Sequence, residues 1–254
     1  MKTATCFFFV TAAAVCLLPL STQAAQQWDF EVELYLLGTT IEGDAGVGRA
    51  RQRSIEVDFD TILENLELAG MIHFEAIHDS GWGAALDYSF VDLGSDMSGP
   101  QGGIVDAGIR QGVLQADLLY RRPLAKGSFD WIAGIRWWDN DLDLSVDAAV
   151  LPGPAEIEVT EDWIDVYVGG RAIYPINDKW HVMLRGDIGG FGLESDLTAQ
   201  LYGNVRWNFA NNWALDLGYK ALWVDYESGD PGEAGYFLYD TVTHGPLVGV
   251  VYKF

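Results

Sequence analysis

Residues 197–209, LTAQLYGNVRWNF, alternate between two kinds of side chain over their whole length. The odd positions are apolar or glycine, whereas the even positions are Thr, Gln, Tyr, Asn, Arg and Asn. Because successive side chains of a β-strand point to opposite faces, this segment predicts a strand with one apolar and one polar face. It is longer than the usual strand of a soluble sheet and matches the roughly nine to eleven residues that cross a bilayer at a tilt.

The same period of two recurs along the chain, for example in residues 28–36, 82–90 and 213–223. A soluble β-sandwich is the alternative interpretation, since its strands also alternate around a buried face. Aromatic residues favour a membrane barrel, because they often begin or end the apolar faces and so suit the girdles at the two interfaces. These residues are Trp28, Trp82, Phe90, Tyr120, Tyr174, Trp180, Trp207, Phe209, Trp213 and Trp223. We therefore predict an all-β fold, a transmembrane antiparallel up-and-down β-barrel.

Composition and charge exclude two further classes of protein. The 254 residues include 15 basic and 37 acidic side chains, for a formal charge of −22, and 49% of the residues are apolar. A surface this acidic excludes nucleic acid as a partner, because phosphates require a basic surface. The apolar content excludes a disordered acidic tail.

The N-terminus predicts export from the cytoplasm. Residues 1–24 have the features of a secretory signal peptide, with Lys2, an apolar run and a small-x-small cleavage pattern ending at Ala24. Both cysteines, Cys6 and Cys16, lie within it, so the mature chain is expected to have no disulfide. Residues 25–254 are then predicted to form a single barrel domain in the cell outer membrane.

The spacing of the strands predicts their number. Short turns alternate with longer loops rich in Gly or Asp, as periplasmic turns alternate with extracellular loops in outer-membrane barrels. We predict ten strands, an even number that places both termini on the periplasmic side, with twelve or eight strands as alternatives. The predicted strands are 28–41, 67–78, 82–94, 104–122, 128–146, 156–174, 179–192, 196–209, 212–227 and 237–254.

Residues 42–66 are too long for a loop without structure of its own. Residues 54–58 have a β-like pattern, and Thr61 with Glu64 fits a capping box at the start of a helical turn. We predict an extracellular extension, made of a short hairpin and a helical turn folded over the mouth of the barrel. If this segment instead crossed the membrane twice, the barrel would have twelve strands.

Residues 128–146 contain a change of phase. The apolar alternation that begins at Phe129 and reaches Ile135 is replaced by one that begins at Leu142 and ends at Val146. A β-bulge near Trp137 and Trp138 would account for such a change.

The C-terminus carries a resemblance to a known class of protein. The run of Val248, Val250, Tyr252 and Phe254 resembles the assembly signal of Gram-negative outer-membrane β-barrel proteins, which the barrel-assembly machinery reads. The first quarter of the mature chain is also similar to a group of largely uncharacterised proteobacterial outer-membrane proteins. The matching pieces are residues 43–48, 57–66, 74–75, 82–83 and 87–88. The resemblance implies an outer-membrane location and brings no established activity.

The inward positions of the predicted strands form the candidate site. They carry charges of both signs at similar depths, so ion pairs can cross the lumen. These lumen residues are Glu31, Glu33, His73, Glu75, Asp87, Asp117, Arg136, Asp165, Arg171, Arg185, Asp187, Arg206, Asp216 and Lys220. A structural network that fills a narrow barrel is the interpretation we favour, and a narrow channel for ions or small solutes is the alternative.

Within this set, two groups are predicted to face each other. Four consecutive strands would present Arg136, Arg171, Arg185 and Arg206 as a basic strip along one wall. The acids of the first three strands would lie opposite. These acids are Glu31, Glu33, Glu75 and Asp87.

A barrel enzyme acting on lipid or peptide is the hypothesis from a different class. His73 is the histidine predicted to point inward near mid-barrel, beside Glu75. No motif places a nucleophilic serine near it, since Gly-x-Ser-x-Gly and His-Glu-x-x-His are absent from the sequence. We therefore assign no catalytic residue.

An acidic segment lies outside the predicted membrane zone. Asp139, Asp141 and Asp143 share one face of a strand, and facing carboxylates are the ligands of hard cations. A solvated acidic surface is the interpretation we favour, and a weak Ca²⁺ or Mg²⁺ site is the alternative. Outer-membrane lipid and lipopolysaccharide are the expected partners, together with the barrel-assembly machinery during biogenesis.

Overall fold

The computed structural model of the protein describes residues 27–48, 53–98, 104–147, 155–233 and 235–254. The predicted signal peptide lies outside the described residues. Within them, no helix has the length and apolar character that a membrane-crossing helix needs.

The described chain is almost entirely β-strand. Its elements are β1 (Trp28–Leu37), β2 (Thr40–Val47), β3 (Arg53–Val57), α1 (Phe59–Glu64), β4 (Leu66–His78), β5 (Trp82–Ser98), β6 (Ile104–Pro123), β7 (Ser128–Asp147), β8 (Ala155–Pro175), β9 (Trp180–Gly190), β10 (Leu197–Asn208), β11 (Trp213–Ser228) and β12 (Phe237–Lys253). β1 and β4 to β12 pair in sequence, each antiparallel to the next, and β12 pairs with β1 to close the barrel. The predicted ten-stranded up-and-down barrel is thereby confirmed.

The predicted first strand is divided in two. β1 and β2 both pair with β12. β1 pairs with the C-terminal half of β12 and β2 with its N-terminal half, and Gly38 and Thr39 separate β1 from β2. β2 then pairs with β3, which forms a hairpin above the closed part of the wall. Because β2 and β3 extend the rim and do not add to the closed circle, the alternative of twelve membrane strands is wrong.

The helical turn in this extension begins differently from our prediction. Asp58 is the N-cap, and its carboxylate accepts a hydrogen bond from the Thr61 N–H at 2.8 Å. This bond holds the pKa of Asp58 below its usual range. Thr61 is therefore already inside the helix, as the N–H donor, so the predicted capping box was wrong. Ile62 is buried, whereas Leu63 is exposed.

β7 has no bulge. It pairs with β6 from Ile104↔Asp147 to Pro123↔Ser128 without a shift in register, and its even positions face inward throughout the described side chains. What changes along β7 is the environment on each side. Its outward residues change from Ile135 in the apolar belt to Asp139 and Asp141, while the inward face changes from Arg136 to the buried Trp138. The strand leaves the membrane at this point, and that transition produced the apparent change of phase.

The outer surface is a belt of exposed apolar side chains, which suits contact with lipid. Leu184, Leu201 and Leu217 are 57%, 50% and 51% exposed on neighbouring strands. Trp180 and Trp207 stack at the end of the barrel with the short turns, with ring centroids 5.7 Å apart. That end is the periplasmic one in barrels of this fold.

Candidate functional site in the barrel lumen

The structure places all of the predicted lumen charges on the inner wall. Arg136, Asp165 and Asp216 are fully buried, and Arg171 and Arg185 are 7% and 6% exposed. Charges this deeply buried are costly unless they are paired and hydrogen-bonded, so the partners of each decide what the lumen can do.

Two arginines and two acids form a cluster near the periplasmic end. Arg171 donates to Glu75 at 2.6 Å and to Asp130 at 2.6 and 2.8 Å. Arg121 donates to the same two carboxylates, at 3.3 Å to Glu75 and 2.8 Å to Asp130. Because these residues come from β4, β6, β7 and β8, the cluster joins a large part of the wall across the lumen.

A second cluster lies at mid-height. Arg185 donates to Asp117 at 2.6 Å and to Asp187 at 3.0 Å, and Arg136 donates to the other oxygen of Asp187 at 2.9 Å. Tyr167 donates to Asp117 at 2.5 Å, and its ring lies 4.6 Å from the guanidinium of Arg136. The cations here are therefore both paired and stacked.

Arg206, on β10, connects β11 to β1 across the lumen. It donates to Asp216 at 2.7 Å through two nitrogens and to Glu31 at 2.8 and 3.1 Å. Glu33 lies farther from it, at 4.0 Å, and its buried Oε1 has no hydrogen-bond partner within the described residues. Of the predicted facing acids, Glu31 and Glu75 contact the arginines by hydrogen bonds.

The remaining lumen charges surround Asp87. Tyr35 donates to it at 2.9 Å, His73 Nδ1 lies 3.3 Å away, and Lys220 Nζ lies 3.5 Å away. His73 Nε2 is also 3.9 Å from Glu75. His73 is thus held between two carboxylates, and among the described residues no hydrogen bond joins it to a serine or threonine hydroxyl.

Asp165 has no cationic partner within the described residues. Its carboxylate accepts hydrogen bonds from the indoles of Trp138 and Trp163 at 3.1 and 3.2 Å. It also accepts from the backbone N–H and the hydroxyl of Ser195, at 3.1 and 2.8 Å. Four neutral donors satisfy this carboxylate, and they tie the loop after β9 to the inner wall.

Three cavities follow one another along the barrel axis. The periplasmic cavity, of about 220 Å³, is lined by residues that include Glu75, Arg121 and His181. The central cavity, of about 50 Å³, shares Glu31, Arg171, Met183 and Arg206 with it. The upper cavity, of about 60 Å³, shares Tyr35 and Lys220 with the central one. The shared residues lie between neighbouring cavities, so the space inside the barrel is divided at two constrictions.

The acidic segment lies outside the lumen. Asp141 accepts a hydrogen bond from the Thr160 hydroxyl at 2.7 Å, and Arg110 lies 3.6 Å from it. The side chain of Asp143 lies outside the described residues, and among the described ones no cluster of three acids, histidines or cysteines could hold a metal ion.

Sequence reasoning missed several lumen residues. Asp130 and Arg121 have the inward parity of their strands, which would have found them, but both lie close to the predicted turns. Tyr35 and Tyr167 were missed because an aromatic residue on the inner face has no charge to mark it. The role of Ser195 depends on how its loop folds, and no local pattern indicates it.

Comparisons with known proteins bear on the fold. No protein-family model matches the chain, and no curated sequence is significantly similar to it. The chain resembles the outer membrane protease OmpT from Escherichia coli, with 10% identity over 90% of this chain and 97% of that one and a TM-score of 0.56. It also resembles the translocator domain of the autotransporter NalP from Neisseria meningitidis, with 12% identity over 90% of this chain and 88% of that one and a TM-score of 0.50. At such low identity these matches show the fold, which is that of bacterial outer-membrane β-barrels.

Proposed function

We propose that this outer-membrane β-barrel is a structural protein whose lumen is closed in its resting form. The observation that carries this proposal is the set of interlocking ion pairs at the levels of Arg171, Arg185 and Arg206. Each of these arginines donates to two carboxylates from different strands, so the side chains that fill the lumen also brace its wall. Barrels with open aqueous channels have about sixteen strands, whereas an interior of eight to ten strands is filled by side chains.

A narrow channel for ions or small solutes is the second candidate. It is favoured by the three cavities, which would need to merge only at two constrictions to give a continuous path. The side chains at these constrictions that carry no charge are Met183, between the periplasmic and central cavities, and Tyr35, between the central and upper ones.

Planar-bilayer recording distinguishes the two candidates. We expect the refolded wild-type protein to give no single-channel steps, because both constrictions are closed. The double variant Tyr35→Ala with Met183→Ala should give steps, since it widens both constrictions without changing the charge of the lumen. Leu34→Ala with Leu184→Ala is the matched control, because the same two strands then lose lipid-facing side chains, and it should stay silent. Regular steps from the wild type would overturn the closed barrel in favour of the channel.

An enzymatic role would centre on His73, and the structure offers a direct test. His73→Ala removes a contact of Asp87 and Glu75, so we expect a less heat-resistant folded form on unheated gels. We expect lipid A and phospholipid composition in cells to be unchanged, because no hydroxyl nucleophile contacts His73 in the described chain. Mass spectrometry of extracted lipids measures this directly. An altered lipid profile, restored by the wild-type gene, would argue for catalysis.

A further inference from the structure

The barrel wall has a seam in its outer half. The ladder between β1 and β4 ends at Leu34↔Ile72, although β4 continues outward to Leu66 and the opposite wall continues through Leu37 into β2. From that level outward, no backbone pairing joins β4 to β1 or β2 in the described residues. The seam is occupied in part by α1, which connects β3 to β4 and inserts Ile62.

The upper cavity lies behind this seam. Both edges of the seam and the helix contribute to its lining, which is mostly apolar. The lining residues that matter here are Leu37, Ile41, Ile62, Met71, Val91 and Leu222. A cavity with such a lining suits a hydrocarbon group better than water.

Exposed apolar side chains lie on both edges of the seam and on α1, beside acids such as Asp60 and Glu64. Leu36 and Leu68, on the two edges, are 60% and 59% exposed, and Phe59 and Leu63 on α1 are 43% and 55% exposed. Such surface is stable against lipid and costly against water, so the seam opens toward the hydrocarbon of the outer leaflet. A molecule dissolved in the membrane would therefore reach the upper cavity sideways, without passing through the extracellular mouth.

At the floor of the cavity lies a lysine whose ammonium group has unused hydrogen-bond donors. Lys220 lines the upper cavity, and its only charged partner among the described residues is Asp87, at 3.5 Å. By contrast, every guanidinium nitrogen of Arg171 and Arg206 donates to a carboxylate oxygen. An ammonium group offers three donors, so Lys220 can accept a further anionic or oxygen ligand.

We propose that the upper cavity binds an aliphatic monocarboxylate that enters from the outer leaflet through the seam. The carboxylate lies at Lys220, and the chain follows the apolar lining out toward Leu36 and Leu68. α1 acts as the outer cover, with Ile62 against the chain. This site adds a ligand to the barrel and does not depend on whether the lumen conducts.

Native mass spectrometry of the folded protein in detergent tests the site, with decanoate as the probe. We expect one bound decanoate per wild-type barrel. Ser89→Phe places a large side chain in the cavity and should weaken binding by about tenfold or more. Ala84→Phe, on the lipid face of the same strand, is the matched control and should bind like the wild type. Equal binding by both variants would refute the site.

Variants of Lys220 test its role in the same binding experiment. Lys220→Met should weaken decanoate binding by about tenfold or more and leave decanol binding unchanged, because only the carboxylate pairs with the ammonium. Lys220→Arg, which keeps the positive charge, should restore decanoate binding. If Lys220→Met weakens both probes equally, or neither, the cation does not recognise the carboxylate and the proposal fails.

Discussion

Replacing Arg171 with methionine is expected to lower the free energy of unfolding by about 3–5 kcal/mol, the loss typical of removing one partner from a buried charge cluster. The variant leaves Glu75 and Asp130 buried, with Arg121 beside both and His73 3.9 Å from Glu75 as their remaining partners. Methionine retains much of the apolar stem of arginine, so the loss reports mainly the missing charge and its hydrogen bonds. Urea unfolding in lipid vesicles, with the heat-resistant band on unheated gels as a second measure, gives the difference.

Arg110→Met is the matched control for this prediction. Arg110 also lies between two acids, but it is 55% exposed and its contacts with Asp92 and Asp141 are both 3.6 Å. Loss of an exposed pair of this kind should cost only about 0–1 kcal/mol. If the two variants lose the same small amount, water enters the Arg171 cluster, and the closed barrel proposed above is wrong.

Deleting Phe254 is expected to reduce the amount of protein in the outer membrane severely while leaving the refolded barrel nearly as stable as the wild type. In the folded structure Phe254 is 51% exposed and donates one backbone hydrogen bond, to Phe30 O at 3.0 Å. A single bond of this kind contributes only about 0.5–1.5 kcal/mol. If the terminal aromatic residue is read as an assembly signal, the defect should appear during insertion.

Immunoblots of outer-membrane fractions and unfolding of the purified variant measure the two effects separately. Phe254→Tyr, which keeps a terminal aromatic ring, should accumulate almost normally. A deletion variant that reaches the membrane at wild-type levels would remove the assembly role. If the deletion variant also fails to refold in vitro, the defect lies in the closing pair of β1 and β12 and not in recognition during assembly.

The number of strands and their order could be predicted because the sequence of each strand shows which side chains face lipid and which face the lumen. A residue such as Leu201 faces lipid and its neighbour Tyr202 faces the lumen, and this alternation is local. The turns between strands also have local signals. Together these patterns fix a closed meander, which is why residues 197–209 were informative without any knowledge of their partners.

Features that depend on height in the membrane were not predicted. The apparent bulge at Trp137 and Trp138 arose because the pattern was read as if lipid surrounded β7 along its whole length. Trp138 stacks on Trp163 at 5.5 Å, and Trp163 stacks on Tyr226 at 3.8 Å, inside the barrel. Above the membrane the inner face becomes the apolar one, as in a soluble protein.

Contacts between side chains of distant strands could not be predicted from the sequence either. The inward parity of Arg171 follows from its own strand, but its choice of Asp130 and Glu75 depends on side-chain reach across a curved wall. Asp165 shows the limit of reasoning from charge, since its partners are two indoles and a serine. The seam could not be predicted for the same reason. A ladder ends where two strands diverge, and the sequence of either strand alone does not show where that happens.

The change from an apolar to an acidic outer face along β7 also determines how deep the protein lies in the membrane. Its apolar outer face runs from Phe129 to Trp137, which spans only about 20 Å of bilayer after allowing for strand tilt. Sinking toward the periplasm would push Asp139 into hydrocarbon, and rising would draw Lys126 of the periplasmic turn into it. Bilayer thickness is therefore a variable to which this barrel should respond, with fastest insertion into short-chain lipids and growing hydrophobic mismatch as the acyl chains lengthen.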